Sequence, residues 1–199
     1  VKTLEEFTQR FNGDEIPQYI KNNPDIPQNR HSYIQALFDR DYFANSDSSN
    51  LLMVEDFIRL IITEDIKVSM FDSNFYCVAH CLFDNHGKSI QLDLILQLEN
   101  IRNQFYKWVV VGVNGLHEAG LIPSQKYGYI PPNQHDFHFD ELNSVFPHLF
   151  NYCYRSMMID QLSVLIALCE QKIVTYKSCG SNDYYFFQVP NYVFQVSER

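Results

Sequence analysis

Residues 90–98 alternate almost without interruption. Ile90, Leu92, Leu94, Leu96 and Leu98 share one parity, Gln91, Asp93 and Gln97 the other, and only Ile95 breaks the pattern. A period of two over nine residues does not suit a helix. It is the signature of an antiparallel strand with one face buried and one wet. Similar runs flank it, so residues 75–115 read as three consecutive strands. Asp84-Asn85-His86-Gly87 supplies the first turn, residues 99–103 separate the second run from the third, and Asn114-Gly115 ends the third. Near residues 109–113 the third run is apolar on both faces, which predicts a central or doubly covered position.

Helical patterns precede this meander. In VKTLEEFTQRFNGD, Leu4, Phe7 and Phe11 recur at helical spacing, Thr3 and Glu6 form a capping box, and Asn12-Gly13 is a stop. The three prolines of IPQYIKNNPDIPQNR predict a connector with a turn at Asn23-Pro24-Asp25. A second helix is expected over residues 32–43, burying Tyr33 or Ile34 with Leu37, Phe38 and Tyr42. A third is expected to be capped by Ser48, Ser49 or Asn50 and to run to about Thr63, with Leu51, Val54, Ile58 and Ile61 as its stripe, widened by Phe57 and Ile62.

After the meander, residues 116–134 carry Pro123 and Pro131-Pro132 and little regularity, so they are the candidate boundary or functional loop. A helix over residues 155–171 is expected to bury Met158, Leu162, Leu165, Ile166 and Cys169. Strands follow over 172–178, 183–189 and 191–197. Cys179-Gly180-Ser181-Asn182 is read as a turn, and Pro190-Asn191 as a break or bulge. The whole is an α+β chain: N-terminal helices on an antiparallel sheet, with an added helix and C-terminal strands. One enlarged domain over 1–199 is preferred to two small packed units.

The formal charge is −9, and residues 1–66 account for −6 of it through six Lys/Arg against twelve Asp/Glu. With no basic stripe to replace phosphate counterions, a nucleic-acid partner is not expected. No apolar run has the length of a transmembrane helix. Cytoplasm is the expected compartment, although the start at Val1 leaves a removed targeting segment open. The five cysteines are an odd number, which weighs against a secreted disulfide framework.

The candidate chemistry is sparse. His135 and His138, among Asp136, Asp140 and Glu141, are the metal candidates, with turn, cap or surface roles as the alternative. Extended geometry sends Cys77 and Cys81 to one face and His80 to the other, which argues against a shared zinc site. His80 is a core histidine or points into a pocket. Gln91, Asp93, Gln97 and Lys107 would line the wet sheet face and are the ligand-binding candidates. His80 and Asp93 are the acid/base candidates. No nucleophile elbow, phosphate loop or dinucleotide fingerprint is present, and no cofactor is called for. The aromatic hairpin bearing Tyr184, Tyr185, Phe186, Phe187, Tyr192 and Phe194 is read as core or subunit packing.

Initial helices followed by a meander ending FYKWVVVGVNG resemble the cone-like fold of the nuclear-transport-factor-2-like superfamily over residues 32–115. The resemblance implies a curved sheet that wraps helices and often forms a pocket. It also implies functions ranging from scaffolds and dimeric binding proteins to small-molecule isomerases and dehydratases. Residues 160–199, DQLSVLIALCEQKIVTYKSCGSNDYYFFQVPNYVFQVSER, resemble the C-terminal part of a group of uncharacterised Bacteroidetes proteins and imply no activity. The expected function is a binding or interaction module whose partners are a second copy, a small molecule or a protein. The alternative is a pocket enzyme performing acid/base isomerisation or hydrolysis.

Overall fold

Side-chain caps explain where three of the four described N-terminal helices begin. A computed structural model describes residues 3–38, 47–102, 105–122, 150–151, 153 and 158–198. Helix α1 (Leu4–Asn12) starts where Thr3 Oγ1 accepts from Glu6 N at 3.1 Å and stops at Gly13, whose φ of 83° closes the C-cap. The Glu6 carboxylate also pairs with Arg10 one turn on. The connector turn at Pro24-Asp25 is present, with Ile26 N on Asn23 O, but the connector also holds a one-turn helix α2 (Gln18–Lys21).

Helix α3 (Arg30–Gln35) begins two residues earlier than its spacing predicts, because Asn29 Oδ1 caps Ser32 N at 2.9 Å. It turns off at Ala36, and both Tyr33 and Ile34 are buried. The remainder of the expected helix, residues 39–43, lies outside the described residues. Helix α4 (Ser48–Thr63) is capped by Asp47 rather than by the serines, with Asp47 Oδ1 accepting from Asn50 N. Its buried stripe is narrower than expected: Val54, Phe57, Ile58 and Ile61 are inside, while Leu51 and Ile62 are exposed.

The strands are β1 (Phe75–Asn85), β2 (Lys88–Arg102), β3 (Phe105–Asn114), β4 (Val174–Val189) and β5 (Tyr192–Glu198). They form an open antiparallel sheet in the order β3-β2-β1-β4-β5. The first hairpin turns through His86 and Gly87, whose φ values of 50° and 86° are those of the turn that matches strand twist. Three expectations are corrected. β2 runs on to Arg102, through most of the stretch read as a separator. β3 is an edge strand with Val110 and Val111 exposed, since an edge can carry apolar residues on both faces as readily as a centre. Residues 179–182 are not a turn. β4 passes straight through them, and the chain reverses at Pro190-Asn191, where Asn191 takes a φ of 64°.

Contacts divide the chain into two compact units. The first comprises Val1–Cys81, Leu94–Val111 and Cys179–Arg199. Its core joins Phe7, Phe11, Ile34, Phe57, Phe75 and Phe186. Phe186 is fully buried, with ring centroids 4.7 Å from Phe75, 4.9 Å from Phe194 and 5.6 Å from Phe7. Asn12 ties α1 to the approach to β1, donating to Val68 O and accepting from Val68 N, both at 2.9 Å.

The second unit comprises Leu82–Asp93 and Gly112–Ser178. It buries Phe83, Leu92, Leu116, Ile122, Leu165 and Val174, and Lys177 Nζ meets Asp84 Oδ1 at 2.7 Å. Its helix, α5 (Gln161–Glu170), starts later than predicted because Asp160 caps it. Of the expected stripe only Leu165 is buried, and Met158 is exposed. Among the described residues no helix is long and apolar enough to cross a membrane.

Candidate functional site

The first unit holds its cavities on the helical side of its strands. One, of about 450 Å³, is lined by Arg10, Gln18, Tyr19, Ser32, Gln35 and Phe38, among others. Arg10 dominates its electrostatics: Nη2 contacts Glu6 Oε1 closely and Glu15 Oε1 at 3.4 Å, while Nε is buried without a hydrogen-bond partner among the described residues. One guanidinium between two carboxylates leaves no surplus positive charge, so the cavity does not suit an anion.

A second pair of cavities is apolar. The deeper, about 180 Å³, is lined by Phe7, Phe11, Ile34, Leu37, Phe38 and Phe57, with β5 residues Phe194 and Gln195 completing the wall. A neighbouring space of about 290 Å³ shares Phe38, Phe57, Phe194 and Gln195 and adds Met53, Val54, Tyr192 and Val193. Shared walls make these two parts of one groove beside α4 and β5. The rings cluster because Phe11 stacks on Phe194 at 5.4 Å and Phe57 meets Tyr192 edge-on at 5.1 Å. The larger space touches four consecutive residues of β5. Side chains alternate along a strand, so contact with all four means that the groove views β5 along its backbone edge. That edge is the end of the sheet.

On the opposite face of the strands in the same unit lies a polar cluster that includes the sequence-predicted His80. His80 Nε2 is 3.0 Å from Asp183 Oδ2, with both side chains largely buried. Asp183 pairs across the hairpin with Ser197, and Tyr185 with Gln195. Burial pushes the Asp183 carboxyl up, but hydrogen bonds from Ser197, His80 and Gln195 outweigh it, and the group sits below its ordinary value. A carboxylate on Nε2 fixes the imidazole tautomer and its orientation, which is the orienting part of an acid/base pair.

The other candidates are placed as follows. Gln97 is engaged locally, Nε2 donating to Ser73 O at 2.8 Å and to Tyr76 Oη at 3.3 Å. Lys107 Nζ pairs with Glu99 Oε2 at 2.9 Å, an exposed contact across β2 and β3. Gln91 is exposed and Asp93 half-buried on β2, in the second unit. His135 and His138 lie outside the described residues, among which no group of three or more His, Cys, Asp or Glu could hold a metal ion. Sequence reasoning missed Asp183 as the partner of His80, Ser197 as the partner of Asp183, and Phe38, Phe57 and Phe194 as groove walls. Placing the turn at Pro190-Asn191 sets Asp183 opposite Ser197 and was the available signal. Comparison with protein families, curated proteins and solved structures gives no match to this chain.

Proposed function

We propose that this chain is a binding or interaction module that takes an apolar group into the groove beside α4 and β5. The observation that carries this reading is the aromatic lining of the deeper space. Its volume, about 180 Å³, exceeds the roughly 150 Å³ of an apolar protein cavity able to hold benzene. A wall of phenylalanines with scarcely a polar side chain recognises shape and apolar surface, and offers no group to make or break bonds. The order of helices before a meander, and a groove between helices and strands, support an arrangement like the nuclear-transport-factor-2-like cone. Association of two copies through the exposed edge strand β3, where Phe105, Val110 and Val111 face solvent, is the corresponding mode of assembly.

The test uses Nile red, a neutral apolar fluorophore. Saturable binding near one per chain is expected. It should be lost in Leu37→Trp, which fills the deeper space, while the folded circular-dichroism spectrum is kept. Absence of saturable binding, or equal binding by the filled variant, refutes the reading. A second reading, a pocket enzyme working by acid/base chemistry, is favoured by the His80–Asp183 contact alone. It requires a turnover that His80→Gln abolishes and Asp183→Asn slows, and fails if both variants retain it.

A further inference from the structure

Three features of the groove meet at β5, and together they specify more than an apolar ligand. The strand ends the sheet, and no backbone hydrogen bond outside the sheet ladder engages residues 192–198 among the described residues. Alternate backbone N–H and C=O groups of an edge strand point away from the sheet and invite a strand of another chain. The groove runs along this edge for four residues, Tyr192 to Gln195, a length of about 13 Å at the strand rise. Next to it opens the deeper aromatic space, wide enough for one ring or one branched aliphatic side chain.

The lining itself is uncharged, so the charges elsewhere on α4 and its ends select among peptides. Residues 47–64, α4 and its ends, carry Asp47, Glu55, Asp56 and Glu64 against one Lys/Arg, Arg59; Arg59 is already paired with Asp56, and Glu55 meets His31 Nε2 at 3.1 Å. Residues 192–197 of β5 carry no charged side chain. A ligand lying between them meets net negative potential on the helix side and none to oppose it on the strand side, so cationic flanks are attracted and anionic ones repelled.

We infer that the partner is an extended peptide that adds to the free edge of β5 as a sixth strand. It would insert one phenylalanine- or leucine-sized side chain into the aromatic space and carry lysine or arginine on its flanks. Main-chain hydrogen bonds supply register, the anchor side chain supplies selectivity, and the flanks speed encounter. This inference rests on the groove being a binding site. It goes beyond that reading in naming the backbone edge as half of the recognition surface.

The experiment uses the full chain and a fluorescein-labelled ten-residue peptide with two lysines at each end and a central phenylalanine between threonines and valines. Fluorescence anisotropy should show saturable binding, at least tenfold weaker when the phenylalanine becomes alanine and several-fold weaker when glutamates replace the lysines. N-methylation of alternate peptide nitrogens should abolish binding for one parity and spare the other. Hydrogen exchange should slow at alternate amides of residues 192–197. Equal effects from both parities, or unchanged β5 exchange, overturn strand addition. Unchanged affinity in Leu37→Trp overturns the anchor. If β5 amides instead become protected as protein concentration rises without peptide, the edge serves a second copy and the inference is wrong. Nile red binding without any peptide binding leaves the groove standing and removes only the peptide; failure of both probes removes the two together.

Discussion

Two glycines in strand-rich surroundings should respond to alanine with opposite signs. Gly115 ends β3 with a φ of 103°, and an added Cβ would lie 3.1 Å from Gln91 O and 3.2 Å from Leu92 Cδ2. The first obstacle is backbone oxygen in β2, which cannot rotate away, and the second belongs to a side chain that is itself buried. Left-handed conformation costs an L-residue about 1–2 kcal/mol, and forcing a methyl into packed structure costs about 1–3 kcal/mol. The reduced freedom of the unfolded chain returns about 0.4–1 kcal/mol. The net expectation for Gly115→Ala is a loss of about 2–3 kcal/mol.

Gly180 has no such conflict. It lies within β4 without a left-handed φ, and its nearest obstacle is His80 O at 3.7 Å, an ordinary contact. Only the unfolded-state effect remains, so Gly180→Ala should stabilise by about 0.4–1 kcal/mol. For a chain of this size about 1 kcal/mol moves Tm by roughly 2–4 °C, so the two variants should melt about 5–15 °C apart. Urea unfolding followed by circular dichroism and by the fluorescence of Trp108, the single tryptophan, measures the difference. Gly115→Ala within about 0.5 kcal/mol of the parent on both signals, or a destabilised Gly180→Ala, would refute the reasoning.

Three further outcomes follow from the packing and electrostatics. Phe186→Ala deletes a fully buried ring in contact with Phe7, Phe75 and Phe194 and should cost about 3–5 kcal/mol in urea unfolding, whereas Phe187→Ala, half-exposed on the other parity, should cost far less. Asn29→Ala removes the cap from α3 and should cost about 1 kcal/mol by the same measurement. The Asp183 carboxyl is held below its ordinary value in the fold, so its contribution is present above the unfolded pKa and lost as pH falls through the folded one. The stability gap between the parent and Asp183→Asn should therefore be wide at about pH 6 and narrow toward about pH 2.5; a gap that widens on acidification contradicts the assignment.

The sequence disclosed local structure where one short-range cause was enough. Thr3, the 4–7–11 spacing and Gly13 define α1 without reference to the rest of the chain, and His86-Gly87 defines the first hairpin in the same way. It misled where a distant partner decides. Cys179-Gly180-Ser181-Asn182 has the composition of a turn, but β4 lies between β1 and β5 in the sheet and stays extended through those residues, its ladder with β5 beginning at Asn182. The same limit hid half of the polar cluster. His80 stands out in its own strand, but Asp183 lies 103 residues away and becomes its neighbour only through strand pairing. The groove was illegible for a third reason: its phenylalanines satisfy the helical and strand periodicities as ordinary core residues, and periodicity cannot tell a ring that fills space from one that borders it.

That distinction has an energetic consequence. An apolar void costs about 24 cal/mol per Å³ when its walls cannot collapse, so an enclosed space of 180 Å³ would carry a cost of about 4 kcal/mol. The groove is open on one side, which makes this an upper bound, but even half of it is large against a total stability of about 5–15 kcal/mol. Filling the space from within should therefore recover part of the cost. Leu37 is partly buried on the rim of the core and lines the deeper space, so the ring of Leu37→Phe can extend into it. The expected result is a gain of about 1–2 kcal/mol in urea unfolding, together with weaker Nile red binding. Stability and binding would then move in opposite directions from one substitution, as they must if the space is kept open for an occupant. A variant that loses both stability and binding would mean that the introduced ring does not enter the space, and Leu37→Met, with its flexible thioether, repeats the test with less strain. If both variants bind Nile red as the parent does, the void is not the binding site, whatever their stability.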